Sequence, residues 1–495
     1  MGAVGFDNQK YLEMQSEHIR ERISQFGGKL YLEFGGKLFD DYHASRVLPG
    51  FKPDSKLQML LQLKDDAEIV IAINASDIEK NKVRGDLGIT YDLDVMRLID
   101  AFRSIGLFVG SVVLTCFAEQ KAAISFEDKL KHLGVKVYRH YSIEGYPSNI
   151  ELIVSDDGFG KNDYIETSRK LVIVTAPGPG SGKMATCLSQ LYHENKRGIK
   201  SGYAKFETFP IWNLPLKHPV NIAYEAATAD LNDVNMIDPF HLEAYGKTAV
   251  NYNRDVEVFP VVDAMFKEIY GSSPYKSPTD MGVNMAGNCI IDDDIVCAAS
   301  KVEVIRRYYT ALCEQKENTG SSDTVAKLDL LMRQADITIN ERPVIYEALK
   351  KAELTCAPAA ALQLPNGKIV TGKTSSLLGA SAALLLNALK ELAQIPDDIE
   401  LIAPTVIEPV QNLKVGHLGN HNPRLHTDEV LIALAISAAT SETAKKAVEQ
   451  LDKLSGCEAH SSVILSQVDV KTFKKLGVNI TCEPKYQVKK LYHAK

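Results

Sequence analysis

Between residues 29 and 176, short apolar runs alternate with stretches whose apolar positions recur every three or four residues. Lys29 to Phe34, Glu68 to Asn74, Phe108 to Phe117, Val135 to Tyr141 and Leu171 to Thr175 read as strands. Several are apolar at successive positions, as strands are when a parallel sheet is covered on both faces. Between them Leu57, Leu60 and Leu61, and then Val95, Leu98, Ile99 and Phe102, fall at helical spacing. This alternation predicts an α/β fold with a doubly wound, mostly parallel sheet.

Past Trp212 the pattern turns irregular and then helical, with Val302, Ile305, Tyr309 and Leu312 on one stripe. The polar run Glu314 to Asp323 and the proline-containing stretch Thr355 to Gly367 mark boundaries. The expected division is a nucleotide- or phosphate-binding α/β domain over 1–225, a mostly helical middle region over 226–360, and a smaller C-terminal α/β domain over 361–495. From about residue 366 the last of these reads β-α-β-α-α-β-α-β.

Two stretches compete as phosphate loops. Such a loop works because a strand delivers glycines whose backbone N–H groups wrap the anion, while the next helix adds its positive end and a Lys. Gly367 to Thr374 matches G-x-x-x-x-G-K-[ST] letter for letter. Its interior, Ile369, Val370 and Thr371, is β-branched and stiff, so it reads better as a strand, a tight turn and a helix capped by Thr374 or Ser375.

Pro177-Gly-Pro-Gly-Ser-Gly-Lys183 breaks the pattern but sits in the right context, after the apolar strand Leu171 to Thr175. Behind it Met184, Cys187, Leu188 and Leu191 make one helical face. G-P-G-S-G-K is similar to the phosphate loop of nucleoside-monophosphate kinases. Gly178, Gly180, Ser181, Gly182, Lys183 and Met184 are therefore the candidate binding residues, with ATP or another nucleotide as the expected ligand. Pro177 replaces the first glycine, and Met184 stands where a hydroxyl would hold Mg2+. A phosphate site is expected, whereas the residues do not supply what a Mg2+-dependent step needs.

An acidic partner should end a nearby apolar strand. Ile150 to Asp157, with Asp157 at its end, has that form, and Ile290 to Asp294 is the alternative. Glu207 closes the β-like run Tyr203 to Phe209, at the edge where α/β ligands bind. Asp230, Asp233, Asp238 and His241 follow in a loop-like setting suited to acid–base work, although a solvated polar loop also explains them. His417, His421 and His426 around Arg424 have spacings that a metal could use, but they read more readily as a capped helix start with exposed imidazoles.

Composition narrows the classes. The 495 residues carry 56 basic and 63 acidic side chains, a net charge of −7, with no basic tract long enough to follow a nucleic-acid backbone. Nucleic acid and membrane are not expected partners: the most apolar stretch, Leu377 to Leu389, is too short to span a bilayer. Met1 to Gln15 has no apolar signal region, and the eight cysteines form no C-x-x-C pair, so a cytoplasmic protein without disulfides is expected.

From F-G-G-K-L at Phe34, through A-P-G-P-G-S-G-K and T-G-K-T-S-S-L-L-G-A, to H-S-S-V-I-L-S at His460, the chain resembles over nearly its full length a bacterial family of conserved proteins of unknown function. The resemblance implies a P-loop-type fold with a distinct C-terminal domain and supplies no reaction. Members are sometimes labelled ATP-dependent zinc proteases. That chemistry needs H-E-x-x-H, and here His193-Glu194 is followed by Arg197 in place of the second histidine, which rejects the protease reading.

The expected function is a nucleotide-binding phosphotransferase or NTPase, with Asp157 or Glu207 managing the nucleophile and His241 a further catalytic candidate. The competing reading is a regulatory binder of a phosphorylated metabolite. A third is an oligomeric scaffold, a homo-oligomer in which the small-residue helix Gly379 to Leu386 packs on another subunit.

Overall fold

All five apolar runs form strands. The computed structural model describes residues 3–487 except positions 37, 40, 85 and 86, so Lys37 of F-G-G-K-L lies outside the described residues. By spatial clustering the chain divides into two compact units. One comprises Val4–Glu225 with Asn232–Cys297, and the other is made of Ala226–Leu231 and Ala298 onward.

The first unit is built on seven strands: β1 (Leu30–Phe34), β2 (Ala67–Asn74), β3 (Phe108–Phe117), β4 (Lys136–Tyr141), β5 (Leu171–Thr175), β6 (Gly202–Phe206) and β7 (Gly282–Val283). Their spatial order is β7-β6-β1-β5-β2-β3-β4, and every pairing is parallel. Parallel strands need crossovers, which bury both faces; accordingly all five residues of β5 and the first seven of β2 are buried.

Helix α1 (Tyr91–Ser104) turns Val95, Leu98, Ile99 and Phe102 inward and packs on β2 and β3. Two helices cover the opposite face. Cys187, Leu188 and Leu191 of α2 (Lys183–Lys196), with Phe259, Val262 and Phe266 of α5 (Asn253–Tyr270), share one core with Tyr31, Val172, Val174 and Tyr203 of the sheet. The short helices α3 (Pro219–Ala227) and α4 (Pro239–Tyr245) lie between β6 and α5 in the chain, and α6 (Asp293–Lys316) follows β7.

One expected strand is absent. Ile150 to Asp157 forms a single helical turn, Ile150–Ile153, and then a turn held by Ser155 Oγ. Asn149 caps that turn by accepting the Leu152 amide, so the apolar run has a local hydrogen-bonding solution and needs no sheet partner.

In the second unit β8 (Ala359–Gln363), β9 (Ile369–Lys373), β10 (Glu458–Ser461) and β11 (Asn479–Cys482) form a separate sheet in the order β9-β8-β10-β11. The letter-perfect P-loop match is thus β9, an antiparallel partner of β8. The helix after it, α7 (Ala380–Ala393), is capped by Gly379 and not by Thr374 or Ser375, because residues 374–379 first form a bent connection in which Ser375 Oγ accepts the Leu377 and Leu378 amides. Four helices, among them α8 (Thr427–Ala438), stand between β9 and β10, so the expected intervening strand is replaced by helix.

Gly372 in β9 has a packing reason. A methyl group there would lie 2.2 Å from the Leu384 backbone nitrogen of α7. Gly372→Ala is therefore expected to destabilise this unit by about 1–3 kcal/mol, the usual cost of overpacking. Urea unfolding followed by far-UV circular dichroism checks it, and an unchanged midpoint would mean that the helix shifts away freely.

Candidate functional site

At the carboxyl end of β5 the chain curls immediately. Gly180 and Gly182 have φ of +74° and +83°, values that an L side chain resists, and Gly182 is the left-handed N-cap of α2. Tyr91 presses against the loop: a methyl at Gly178 would come within 2.3 Å of its hydroxyl. Ser181 is fully buried, its Oγ donating to the Gly178 carbonyl at 2.9 Å while its own carbonyl accepts from Thr115 Oγ1 at 2.8 Å. The serine hydroxyl therefore braces the turn and does not face outward.

The curled backbone leaves a row of its donors without a protein acceptor. Among the described residues, no acceptor receives the amide N–H of Gly178, Gly180, Ser181, Gly182, Lys183, Met184 or Ala185. Lys183 is half-buried and has no ion-pair partner among those residues. Met184 packs against the sheet core, and the buried Thr186 Oγ1 has no hydrogen-bond partner among the described residues.

Topology adds to this. After β5 the chain moves toward β6, and after β2 it moves toward β3, so connections diverge between two neighbouring strands. In open parallel sheets that divergence opens the crevice at the carboxyl ends where ligands bind. The loop lies there.

On the two strands beside β5, β1 and then β6, a buried charge cluster occupies the same edge. Glu33 of β1 stands beside Val174 of β5 on one side and Lys205 of β6 on the other, all three on the α2 face. Tyr203 donates its hydroxyl to Glu33 Oε2 at 2.7 Å. Lys205 Nζ donates to Glu207 Oε1 at 2.7 Å and also to Asp255 Oδ2 and the Tyr252 hydroxyl. Its side chain is only 8% exposed, and those of Glu207 and Asp255 are 12% and 7%.

One ammonium cannot neutralise two carboxylates out of water. Burial, reinforced by the charge of Asp255 and only partly offset by Lys205, pushes the Glu207 carboxyl up to about 8. Burial pulls the Lys205 ammonium the other way, but Asp255 and Glu207 outweigh it and hold it well above its usual value. Lys205 is thus a fixed cation and Glu207 a proton holder near neutral pH. Cys187 joins cluster to loop. Burial first, and then the Glu33 carboxylate, raise its thiol, while the Lys183 ammonium one turn away opposes them.

Sequence reasoning placed Glu207 at this edge, but it missed Glu33, Lys205, Tyr252 and Asp255. A signal existed: Lys205 interrupts a strand otherwise buried on both faces, and a charge there needs a partner.

The other first-unit candidates have partners outside the loop. Asp157 is exposed and pairs with Lys161 at 3.3 Å, an ordinary surface contact. His241 sits in α4, its Nδ1 3.0 Å from Ser277 Oγ and 3.7 Å from Asp280. Asp238 caps α4 by accepting the Phe240 and His241 amides, and Asp233 pairs with Arg254 at 2.7 Å. In the second unit His417 and His421 are exposed, while His426 caps α8 and sits 2.9 Å from Asp469. His193 and Glu194 are buried within α2. His193 Nε2 faces the Asn162 carbonyl and Glu194 accepts from Tyr31, so neither is presented to a metal.

Comparison with known proteins covers almost the whole chain. Residues 4–336 match the family model described as domain of unknown function DUF1846, N-terminal, and residues 340–492 match its C-terminal counterpart. A UPF0371 protein of Streptococcus pyogenes serotype M5 is 59% identical over 492 residues, spanning 99% of this chain and 100% of its own. A UPF0371 protein of Corynebacterium urealyticum is 58% identical over 490 residues, 99% of each chain. No helix among the described residues is long and apolar enough to cross a membrane. With both domain models matched and relatives of 58–59% identity spanning 99% of it, the chain belongs to the bacterial DUF1846 (UPF0371) family.

Proposed function

We propose that this chain binds the phosphates of a nucleotide such as ATP on the Gly178–Lys183 loop and acts as a phosphotransferase or NTPase, with Glu207 handling the proton. The observation that carries this reading is the row of amides at the left-handed start of α2, beside Lys183, none of which has a partner among the described residues. Such a row, at the positive end of a helix, suits an anion. Glu207, with its proton held to about 8, has the affinity that general acid–base transfer needs near neutral pH.

Met184, in the place of the metal-binding hydroxyl, supports a second reading: a binder of a phosphorylated metabolite without turnover. The scaffold reading has less behind it. Ala380, Ala382, Leu384 and Leu385 of α7 are already spent on the core of their own unit.

A thermal-shift series with ATP, GTP, ADP and inorganic phosphate, with and without Mg2+, tests phosphate binding. A ligand held at 100 times its Kd stabilises the folded chain by about 2.7 kcal/mol. Lys183→Ala is expected to abolish most of that shift, and in the enzyme reading also the release of phosphate from ATP or GTP. A shift without turnover selects the binder. No shift with any of the four, or an equal shift in the variant, removes the proposal.

A further inference from the structure

Away from the loop and its cluster, three metal-ligating side chains of the first unit converge. His218 immediately precedes α3, while Asp293 and Cys297 are four residues apart on α6 and so share a helix face. Nε2 of His218 lies 3.0 Å from Asp293 Oδ1 and 3.5 Å from Cys297 Sγ, and that sulfur is 3.6 Å from Asp293 Oδ2. One ligand atom from each lies within 4.8 Å of the others. The Ile290 to Asp294 run, considered above as a partner for the phosphate loop, supplies its Asp293 here.

We propose that His218, Asp293 and Cys297 form a site for a transition metal of the Zn2+ class. Zinc bond lengths to N and S of roughly 2.0–2.3 Å, arranged tetrahedrally, put nitrogen and sulfur about 3.6 Å apart. The observed 3.5 Å fits that edge, and the carboxylate straddles both neighbours, so either oxygen reaches a shared ion. The donor set is selective: thiolate with imidazole suits Zn2+ or Co2+, not Mg2+ or Ca2+. His218 is only 9% exposed, which fixes the imidazole, whereas Asp293 is 62% exposed and leaves the fourth position to water. Three protein ligands and an open position are the arrangement of zinc sites that do chemistry.

Hydrogen bonding alone gives a competing account. The Val220 amide donates to His218 Nδ1 at 3.3 Å, which leaves Nε2–H for Asp293. A metal on Nε2 requires the other tautomer, with the ring's single proton on Nδ1, and gives up the Val220 contact. At 3.3 Å that contact is longer than a usual N–H bond of about 2.9–3.0 Å, so little is lost. Binding would also release the Cys297 thiol proton, making affinity fall at low pH.

The full-length protein, stripped with a chelator and titrated with Co2+, tests this. One equivalent is expected to produce thiolate-to-cobalt charge transfer and the strong visible absorption of a tetrahedral ion, both removed by added Zn2+. Cys297→Ser should abolish the charge transfer. His218→Asn, which retains a helix-capping side chain, should weaken binding at least about tenfold, the loss that even outer-shell changes produce. Cys356→Ser, at an exposed cysteine of the other unit, should leave the spectrum intact. No band at one equivalent, or a band that survives Cys297→Ser, overturns the site. The nucleotide reading is untouched by either result.

Discussion

Lys205→Met is expected to cost the first unit about 3–5 kcal/mol, the usual penalty for removing one partner from a buried ion pair. Met nearly preserves the volume, so cavity formation contributes little. What remains is the Asp255 carboxylate, the protonated Glu207 carboxyl and the Tyr252 hydroxyl, each of which loses the Nζ donor. Urea unfolding followed by the fluorescence of Trp212, the single tryptophan, reports on this unit because Trp212 is seated there, donating to the Asn284 carbonyl at 2.9 Å. Adding Asp255→Leu should recover much of the loss, since replacing a whole buried pair by apolar groups is often neutral. A cost below about 1 kcal/mol for the single variant would mean that water screens the cluster as it does a surface pair.

The same cluster marks where sequence reasoning stops. The strands were legible because a sheet covered on both faces demands apolar residues at consecutive positions, as in Leu171–Thr175 and Phe108–Phe117. The loop was legible because strand, glycines and helix adjoin in the chain. Ile150 to Asp157 failed for the opposite reason. A short apolar run carries no period of its own, and Asn149 tipped it into a helical turn. Lys205 and Asp255 are fifty residues apart, and only the packing of α5 on the sheet joins them. The same holds for His218 and Cys297, seventy-nine residues apart, where a lone histidine and a lone cysteine carry no spacing signal. In the second unit the regular expression matched at Gly367–Thr374, and stiffness decided against it. β-Branched residues form β9 there, whereas the loop that does curl violates the expression at Pro177.

Glu207→Gln is expected to flatten the pH dependence of the first unit's stability between about pH 5 and 8. The sign follows from the proton. In the folded chain Glu207 keeps its proton to about 8, against an ordinary value of 4.5, so above 4.5 the unfolded chain ionises more readily. The stabilisation is complete below 4.5 and is lost as pH rises through 8. At no more than about 1.4 kcal/mol per pH unit, the wild type should lose stability from this group across the window, on the order of a few kcal/mol by pH 8. Gln fills the same space, offers Lys205 a carbonyl oxygen, and does not titrate, so the variant should gain on the wild type with each unit of pH. Urea midpoints read from Trp212 at pH 5, 6, 7 and 8 check this, and parallel curves for the two proteins would remove Glu207 as a proton holder. The outcome also bears on the proposed proton transfer. An acid that ionises near 8 within the folded chain costs stability to maintain, and near neutral pH it holds the proton that the proposed transfer would use.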